Sequence, residues 1–496
     1  MNIKEQGQVF TPYYIVKYML GQIGYDNKKI INKKIMEPAT GDGAFINEII
    51  RILINVCKKE KFSNEKILNI ILNNVYGYEL NKISYENLIS NVIEILKEKL
   101  NVTDIIKITD LNSKLRNNFL NEDTLLAKNN KKYDLIIGNP PYVRIHNLNK
   151  VNLEKYRKDY KSMKKGNVNL YFAFYEWAIN HLSTKGVGCF ITPNTFLRNE
   201  SGKELRQILK NKLSHVHDFG SQQIFPNIST YNSIIVFQNK YTSKCVFEIN
   251  RIKDNEIEKK QNIIYKPYFI KDKIYIGTDA NDLKKILNSV PKNVVHFQNG
   301  IATLSDKIFI TNNFKKIDEK YFLFNNFKIE AALLKDIVKI STFWSKFDKK
   351  KIIFPYKRVN NKIIQLSEKE LAKKFPYGYK YLLTFKADLV ARALDKNCLW
   401  FHYGRSQALS SILHEKVVIR VFVKNELKYD YIHKYIEKET LVYSGLYSKI
   451  ENKDREIINE LLTSDNLLEF MKLTGFDKQG NYKTVTSTIL KEYFND

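Results

Sequence analysis

The chain has 496 residues and carries 81 Lys and Arg against 53 Asp and Glu, a formal net charge of +28. That length accommodates two or three domains, and so large a positive excess points to a polyanionic partner, nucleic acid before an anionic membrane surface. Four widely separated cysteines, Cys57, Cys189, Cys245 and Cys398, exclude a disulfide framework and a C-x-x-C zinc site, and no stretch approaches 18 consecutive apolar residues, so a soluble cytoplasmic protein with no metal and no membrane attachment is expected.

In chain order, Gly7-Gln8-Val9-Phe10-Thr11-Pro12 leads into a helical run in which Ile15, Val16, Met19 and Leu20 share a face. Thr11 reads as its N-cap, with Pro12 at the first helical position. Next, Ile35-Met36-Glu37 runs into the small-residue turn Pro38-Ala39-Thr40-Gly41-Asp42-Gly43 and a helix through Ile46, Ile49, Ile50 and Leu53. Strand, glycine turn and helix open a Rossmann-like unit. The turn is not G-x-G-x-x-G, and its Glu37 and Asp42 would repel a pyrophosphate, which favours a bare helix N-terminus. A cationic ligand, a sulfonium or an α-amino group, suits these carboxylates, which argues for S-adenosylmethionine over a nicotinamide cofactor. Val75 to Leu80 reads as a second strand ending in Glu79, a carboxylate able to accept from both ribose hydroxyls.

The most informative stretch follows, Tyr133-Asp134-Leu135-Ile136-Ile137-Gly138-Asn139-Pro140-Pro141-Tyr142. A short apolar run reads as a buried strand, and two prolines then end the ladder on a stiff turn at its carboxyl end, where open α/β sheets place ligands. The Asn139 side-chain carbonyl and the Pro140 backbone carbonyl are two acceptors suited to an NH₂ group, and Tyr142 offers a face to a planar ring. Adenine, cytosine and a primary amide all meet that description.

Lys150 to Lys165 interleaves Tyr156 and Tyr160 with Arg157, Lys158, Lys161, Lys164 and Lys165; it is expected near the site mouth, contacting phosphates and stacking bases. A helix over Asn167–His181, a strand over Gly186–Pro193, a helix over Glu204–Leu213 and strands at His217–Gly220 and Ser233–Phe237 complete an α/β domain over residues 1–245. His215 and His217 form an H-x-H pair with no further ligand nearby and read as structural. Residues 246–496 are rich in Lys, Tyr and Phe, including Phe354-Pro355-Tyr356-Lys357-Arg358, Phe375 to Leu382 and Trp400-Phe401-His402-Tyr403-Gly404-Arg405, whose aromatics are expected mainly in a core.

Taken together, Asn139-Pro140-Pro141-Tyr142, the Glu37 to Gly43 turn and their order along the chain resemble the γ-class DNA adenine-N6 methyltransferases of TaqI type. The resemblance implies an S-adenosylmethionine-dependent Rossmann-like domain followed by an α+β target-recognition domain. It implies a cofactor pocket lined by Val9, Phe10, Thr11, Glu37, Ala39, Gly41, Glu79, Leu80, Asp123, Thr124, Asn139, Pro141 and Phe174. Asp123 would accept from the cofactor's adenine amine and Phe174 would pack on that ring. Catalysis would fall to Asn139, Pro140 and Tyr142, with Phe225 of Ile224-Phe225-Pro226 stacking on the other face of a flipped adenine. Where the family often has a lysine after this Phe-Pro, Asn227 and Ile228 stand here. Arg157, Lys158, Lys161, Lys357, Arg358 and Arg405 would contact double-stranded DNA, and a separate cognate restriction endonuclease would be the partner enzyme, no nuclease motif preceding the first segment. RNA adenine, protein-glutamine and cytosine-N4 methyltransferases share the chemistry of the turn, and a non-catalytic specificity subunit is the reading from another class.

Overall fold

The computed structural model describes residues 10–101, 105–220, 222–225, 230–242, 244–265, 272–275, 280–290, 295–340, 349–420, 422–424, 433–450, 455–478 and 482–494, which fall into two compact units, Met1–Asn281 and Asp282–Asp496.

The first unit is built on nine strands: β1 (Ile35–Glu37), β2 (Val75–Tyr78), β3 (Phe119–Leu120), β4 (Tyr133–Gly138), β5 (Leu182–Pro193), β6 (Leu213–Asp218), β7 (Asn232–Gln238), β8 (Cys245–Lys253) and β9 (Glu256–Tyr265). They form one sheet in the order β3-β2-β1-β4-β5-β7-β6-β8-β9. From β3 to β5 all pairings are parallel, and β7 runs antiparallel to both β5 and β6. The succession of strands reverses direction between β1 and β4, which opens a crevice beyond their carboxyl ends.

Helices cover both faces. On one side lie α1 (Tyr13–Gln22), α2 (Ala44–Lys59), α3 (Asn64–Asn74), α4 (Lys82–Leu100) and α5 (Ile105–Leu115); on the other lie α6 (Lys150–Asp159), α7 (Tyr171–His181) and α8 (Lys203–Leu209). Successive residues of a strand face opposite ways, so Ile137 of β4 enters the first core with Ile15, Phe45 and Leu88, and Ile136 enters the second with Tyr156, Phe172 and Trp177. Burial on both sides is why β4 reads as an unbroken apolar run.

The turn between β1 and α2 is fixed by its own backbone. Gly43 caps α2 at φ +94°, its N–H donates to the Thr40 carbonyl at 2.9 Å, and a Cβ there would lie 2.6 Å from Leu88 Cδ1. Gly43→Ala is therefore expected to destabilise the unit by about 1–3 kcal/mol, seen as a lower midpoint in thermal unfolding. An unchanged midpoint would show that the turn relaxes freely.

Several expectations meet corrections here. Thr11 does not cap α1; Pro12 occupies the cap position, and the Thr11 hydroxyl is engaged elsewhere. The basic, aromatic segment expected to contact phosphates and bases forms α6 followed by the 3-10 turn Lys161–Met163, and Tyr156 and Tyr160, four residues apart, are buried on one face. The helix after β5 ends at Leu209, and the strand expected at His217–Gly220 lies at Leu213–Asp218. The sheet also runs past residue 245. Cys245 and Phe247 of β8 are fully buried, but Glu248, Asn250, Arg251 and Lys253 among its apolar residues conceal the strand in the sequence.

The second unit is α+β. One four-stranded sheet sets Leu446–Ile450 between Gln298–Asn299 and Glu415–Ile419, with His433–Ile436 beyond, all antiparallel. Another joins Ile310–Thr311, Lys349–Ile353, Leu334–Lys339 and Thr440–Tyr443, the last pairing parallel. Hairpins turn at Asn325-Asn326 and Asn360-Asn361, all with φ between 48° and 69°, the conformation that tight two-residue turns demand. Phe354, Tyr356, Tyr381, Phe401 and Tyr403 are buried in the core, as expected of those clusters. Among the described residues no helix is long and apolar enough to cross a membrane.

Candidate active site

At the carboxyl ends of β1, β2 and β4, the chain encloses a cavity of about 560 Å³. Its walls include Glu37, Ala39 and Gly41 from the turn after β1, Glu79 and Leu80 after β2, and Asp123 and Thr124 after β3. Asn139 and Pro141 line it from the turn after β4, Phe174 from α7, and Phe10 and Thr11 from the segment before α1. Val9, Pro226, Asn227 and Ile228 lie outside the described residues.

The cavity floor is acidic. Glu37 is 1% exposed, and its Oε2 accepts at 3.2 Å from the N–H of Ile46 in the first turn of α2. Burial, reinforced by the nearby Glu79 carboxylate, pushes Glu37 well above the usual carboxylate range. Glu79 is likewise raised, chiefly by burial and also by Asp42, against the lowering effect of the backbone N–H groups of Asn81, Gly41 and Leu80. Gly41 donates at 2.7 Å to Oε2 and Asn81 at 2.7 Å to Oε1. Glu79 thus braces the glycine turn, and a carboxylate with about four lone-pair sites can still accept from a ligand hydroxyl. Buried carboxylates with raised pKa favour a cationic ligand, and large apolar groups at the rim, Phe10 at 61% and Leu80 at 66% exposed, suit the flat face of a base. A cofactor with both a positive charge and an adenosyl group fits this donor set.

Asp123 accepts from Leu125 N at 3.0 Å and from the Tyr156 hydroxyl at 2.5 Å. Tyr156 and Tyr160 therefore point inward, Tyr160 donating to the Leu125 carbonyl at 2.7 Å, rather than out toward solvent. Tyr156 is a cavity wall that loop-like composition concealed; the four-residue spacing of the two tyrosines is the signal that could have revealed it.

Beside this pocket, the Asn139 Nδ2 donates to Thr11 Oγ1 at 3.1 Å, which sets the orientation of the amide. Tyr142 donates from its hydroxyl to the Ile191 carbonyl at 3.1 Å and accepts from Asn232 Nδ2 at 3.0 Å. Burial holds the phenol well above its ordinary pKa, so it stays neutral and is no proton acceptor. Phe225 is buried against it, ring centres 6.4 Å apart and planes at 63°. Two rings holding a base between them need parallel planes about 7 Å apart, twice the carbon contact distance. Tyr142 and Phe225 instead meet edge to face, and a base between them requires Phe225 to move.

The cations expected on DNA fall in both units. Arg157, Lys158 and Lys161 are exposed on α6 and the following turn. In the second unit, Lys357 pairs with Glu370, Arg358 bonds to Asn361 Oδ1 at 2.6 Å, and Arg405 bonds to the Ala393 carbonyl at 2.6 Å and lies 3.4 Å from Asp395. Each has a partner within its own unit. Of the H-x-H pair, His217 is fully buried and bonds through Nδ1 to Glu248 Oε2 at 2.9 Å, a structural role.

The family described as Eco57I restriction-modification methylase matches residues 51–225. The Type II restriction enzyme and methyltransferase RM.Eco57I of Escherichia coli is 25% identical over 495 residues, covering 85% of this chain and 49% of that protein. The Type II methyltransferase M.AccI of Acinetobacter calcoaceticus is 31% identical over 335 residues, 62% of this chain and 54% of its own. The chain spans about half the length of these relatives. Among solved structures, the Type IIL restriction-modification enzyme MmeI in complex with DNA superimposes with a TM-score of 0.59 at 13% identity, covering 96% of this chain and 65% of that one. A nuclease-deletion mutant of the Type ISP enzyme LlaGI gives 0.53 at 14% identity, covering 93% and 44%. The sequence similarity is to methyltransferases of restriction-modification systems, and the structural likeness is one of fold.

Proposed function

We propose that the chain is a site-specific DNA methyltransferase that transfers the methyl group of S-adenosylmethionine to the N6 amine of an adenine swung out of the duplex, leaving S-adenosylhomocysteine. The observation that carries this reading is the position of Asn139 and Pro141, which line the same cavity as the buried acids Glu37 and Glu79.

The cofactor supplies a sulfonium methyl, an electrophile that needs no metal to activate it. Glu37 and Glu79 hold its cationic and hydroxyl-bearing portions, Phe10, Leu80 and Phe174 pack on its base, and Asp123 accepts from the base amine. Asn139 and the Pro140 carbonyl accept the two N–H groups of the target amine. That arrangement favours a pyramidal nitrogen whose lone pair is withdrawn from the ring and aimed at the methyl. The N–C bond forms as the C–S bond breaks, and the proton then lost from the methylated nitrogen passes to water. The residues thus contribute positioning and electrostatics rather than general-base catalysis. Tyr142 stacks on the flipped base, with Phe225 moving to cover its other face. Residues 1–281 form the catalytic domain in this reading and the second unit the target-recognition domain, working in the cytoplasm alongside a cognate restriction endonuclease. The net charge of +28 supports a duplex DNA partner.

The test offers purified protein labelled S-adenosylmethionine with duplex DNA, RNA and a protein extract in parallel. Label recovered as N6-methyladenine in DNA is expected, with DNA affinity falling steeply as salt rises. Label confined to RNA or protein overturns the substrate, and no transfer despite cofactor binding overturns the activity.

A further inference from the structure

In the second unit, residues 299–307, Gln407, Ser444 and Gly445 line an open cleft of about 500 Å³. Leu304 stands in it, 46% exposed and with φ +57°. A branched apolar side chain is disfavoured in the left-handed region, and with nearly half of it exposed, its contact with Gly404 offsets only part of the strain.

The backbone there is nonetheless held from below. The carbonyl of fully buried Thr303 accepts from Gly404 N at 3.0 Å and from Arg392 Nη1 at 2.6 Å, and the Thr303 hydroxyl accepts from Ser305 N at 3.0 Å while donating to Asp306. Arg392 also donates to the carbonyls of Leu389, Trp400 and His402, which locks the Trp400 to Arg405 cluster beneath the loop. Gly404 lies where a Cβ would come within 2.4 Å of the Leu304 side chain. The bonds of neighbouring residues thus fix the backbone on which Leu304 stands, and strain that the surroundings hold in place is concentrated at functional sites.

The lining also discriminates between ligands. Asn299, Gln407 and Ser444 are exposed amides and a hydroxyl, and Asp306 beside Lys307 leaves the cleft without net charge. Phosphate contacts draw on clustered cations and other donors, whereas amide side chains pair with adenine edges and apolar ones contact the thymine methyl. We propose that this cleft reads base edges of the DNA duplex, with Leu304 as the apolar contact and Asn299 and Gln407 as the hydrogen-bonding readers; the proposal rests on the DNA methyltransferase reading above.

The full chain is compared with Leu304→Asn, which the left-handed backbone tolerates, and with Gln407→Ala. Methylated adenines are mapped by sequencing after reaction with mixed-sequence DNA, alongside thermal unfolding and cofactor affinity. Wild-type protein is expected to modify one sequence context. Each variant should keep its unfolding midpoint and cofactor affinity while discrimination at one base-pair position falls by about tenfold to a hundredfold. Variant maps identical to wild type overturn the cleft assignment and leave the methyltransferase reading intact. Equal loss at every sequence, with a shallower salt dependence or a lower unfolding midpoint, also overturns it, as phosphate contact or structural support. Wild-type protein that methylates no DNA overturns the underlying reading and this inference with it.

Discussion

Asn139→Ala is expected to lower methyl transfer by about a thousandfold or more while duplex affinity and the unfolding midpoint stay close to wild type. The side chain lies at the end of β4 on a turn shaped by Pro140 and Pro141, so its removal leaves the backbone path intact. Its bond to Thr11 is a half-buried side-chain contact, worth about 1 kcal/mol. In the proposed mechanism what disappears is one of two acceptors for the amine, a loss of the kind that costs about a hundredfold to a thousandfold for a single preorganised partner, with the misplacement of the nucleophile added to it. Asn139→Asp retains an acceptor oxygen and should keep more activity than the alanine variant. Single-turnover transfer and DNA titration on the same preparations decide the matter. If duplex binding falls as far as activity does, Asn139 is part of the DNA-binding surface and not of the methyl-transfer centre.

Glu37→Gln is expected to act in opposite directions on the free protein and on the complex. The folded-state pKa of Glu37 lies above its unfolded value, so the free protein is most favoured where the group is protonated and loses that contribution as pH rises through the folded pKa. Glutamine can still accept from Ile46 N but carries no charge to bury. The variant should therefore unfold about 2–8 °C higher without cofactor, from a relief of about 1–4 kcal/mol. Cofactor affinity should fall about tenfold to a hundredfold, the value of a hydrogen bond to a charged partner. In wild-type protein the affinity should also rise with pH as Glu37 and Glu79 ionise, and that dependence should weaken in the variant. Calorimetric titration of cofactor at several pH values reads both effects. Lower stability with unchanged affinity would make Glu37 a purely structural acid.

The two groups that carry these predictions were both legible from local sequence. A buried strand ended by consecutive prolines, and a strand–glycine-turn–helix containing acids, are short-range patterns whose geometry is set by covalent constraints and alternation. Their meeting in one cavity was legible only through the order of the segments. Thr11 shows where such reading stops. Beside Pro12 it has every local mark of a helix cap, yet its hydroxyl bonds Asn139, 128 residues away. Tyr156 shows the same in reverse: its basic neighbours suggested a solvent-facing role, whereas helical spacing turns it onto Asp123.

Chain composition and period alone determined that this protein has an α/β domain with an acid-floored turn, a proline-stiffened acceptor pair at a strand end, and a strong positive charge. Those features depend on neighbouring residues and on a sum over the chain. Tertiary structure alone decided that the sheet runs on through β8 and β9, that Tyr142 and Phe225 meet edge to face, and that Lys357, Arg358 and Arg405 have partners within their own unit. It alone decided, too, that Leu304 is held exposed in a left-handed turn. Each of these outcomes turns on which distant side chain fills the neighbouring space, a competition among long-range packing partners that local periodicity does not encode.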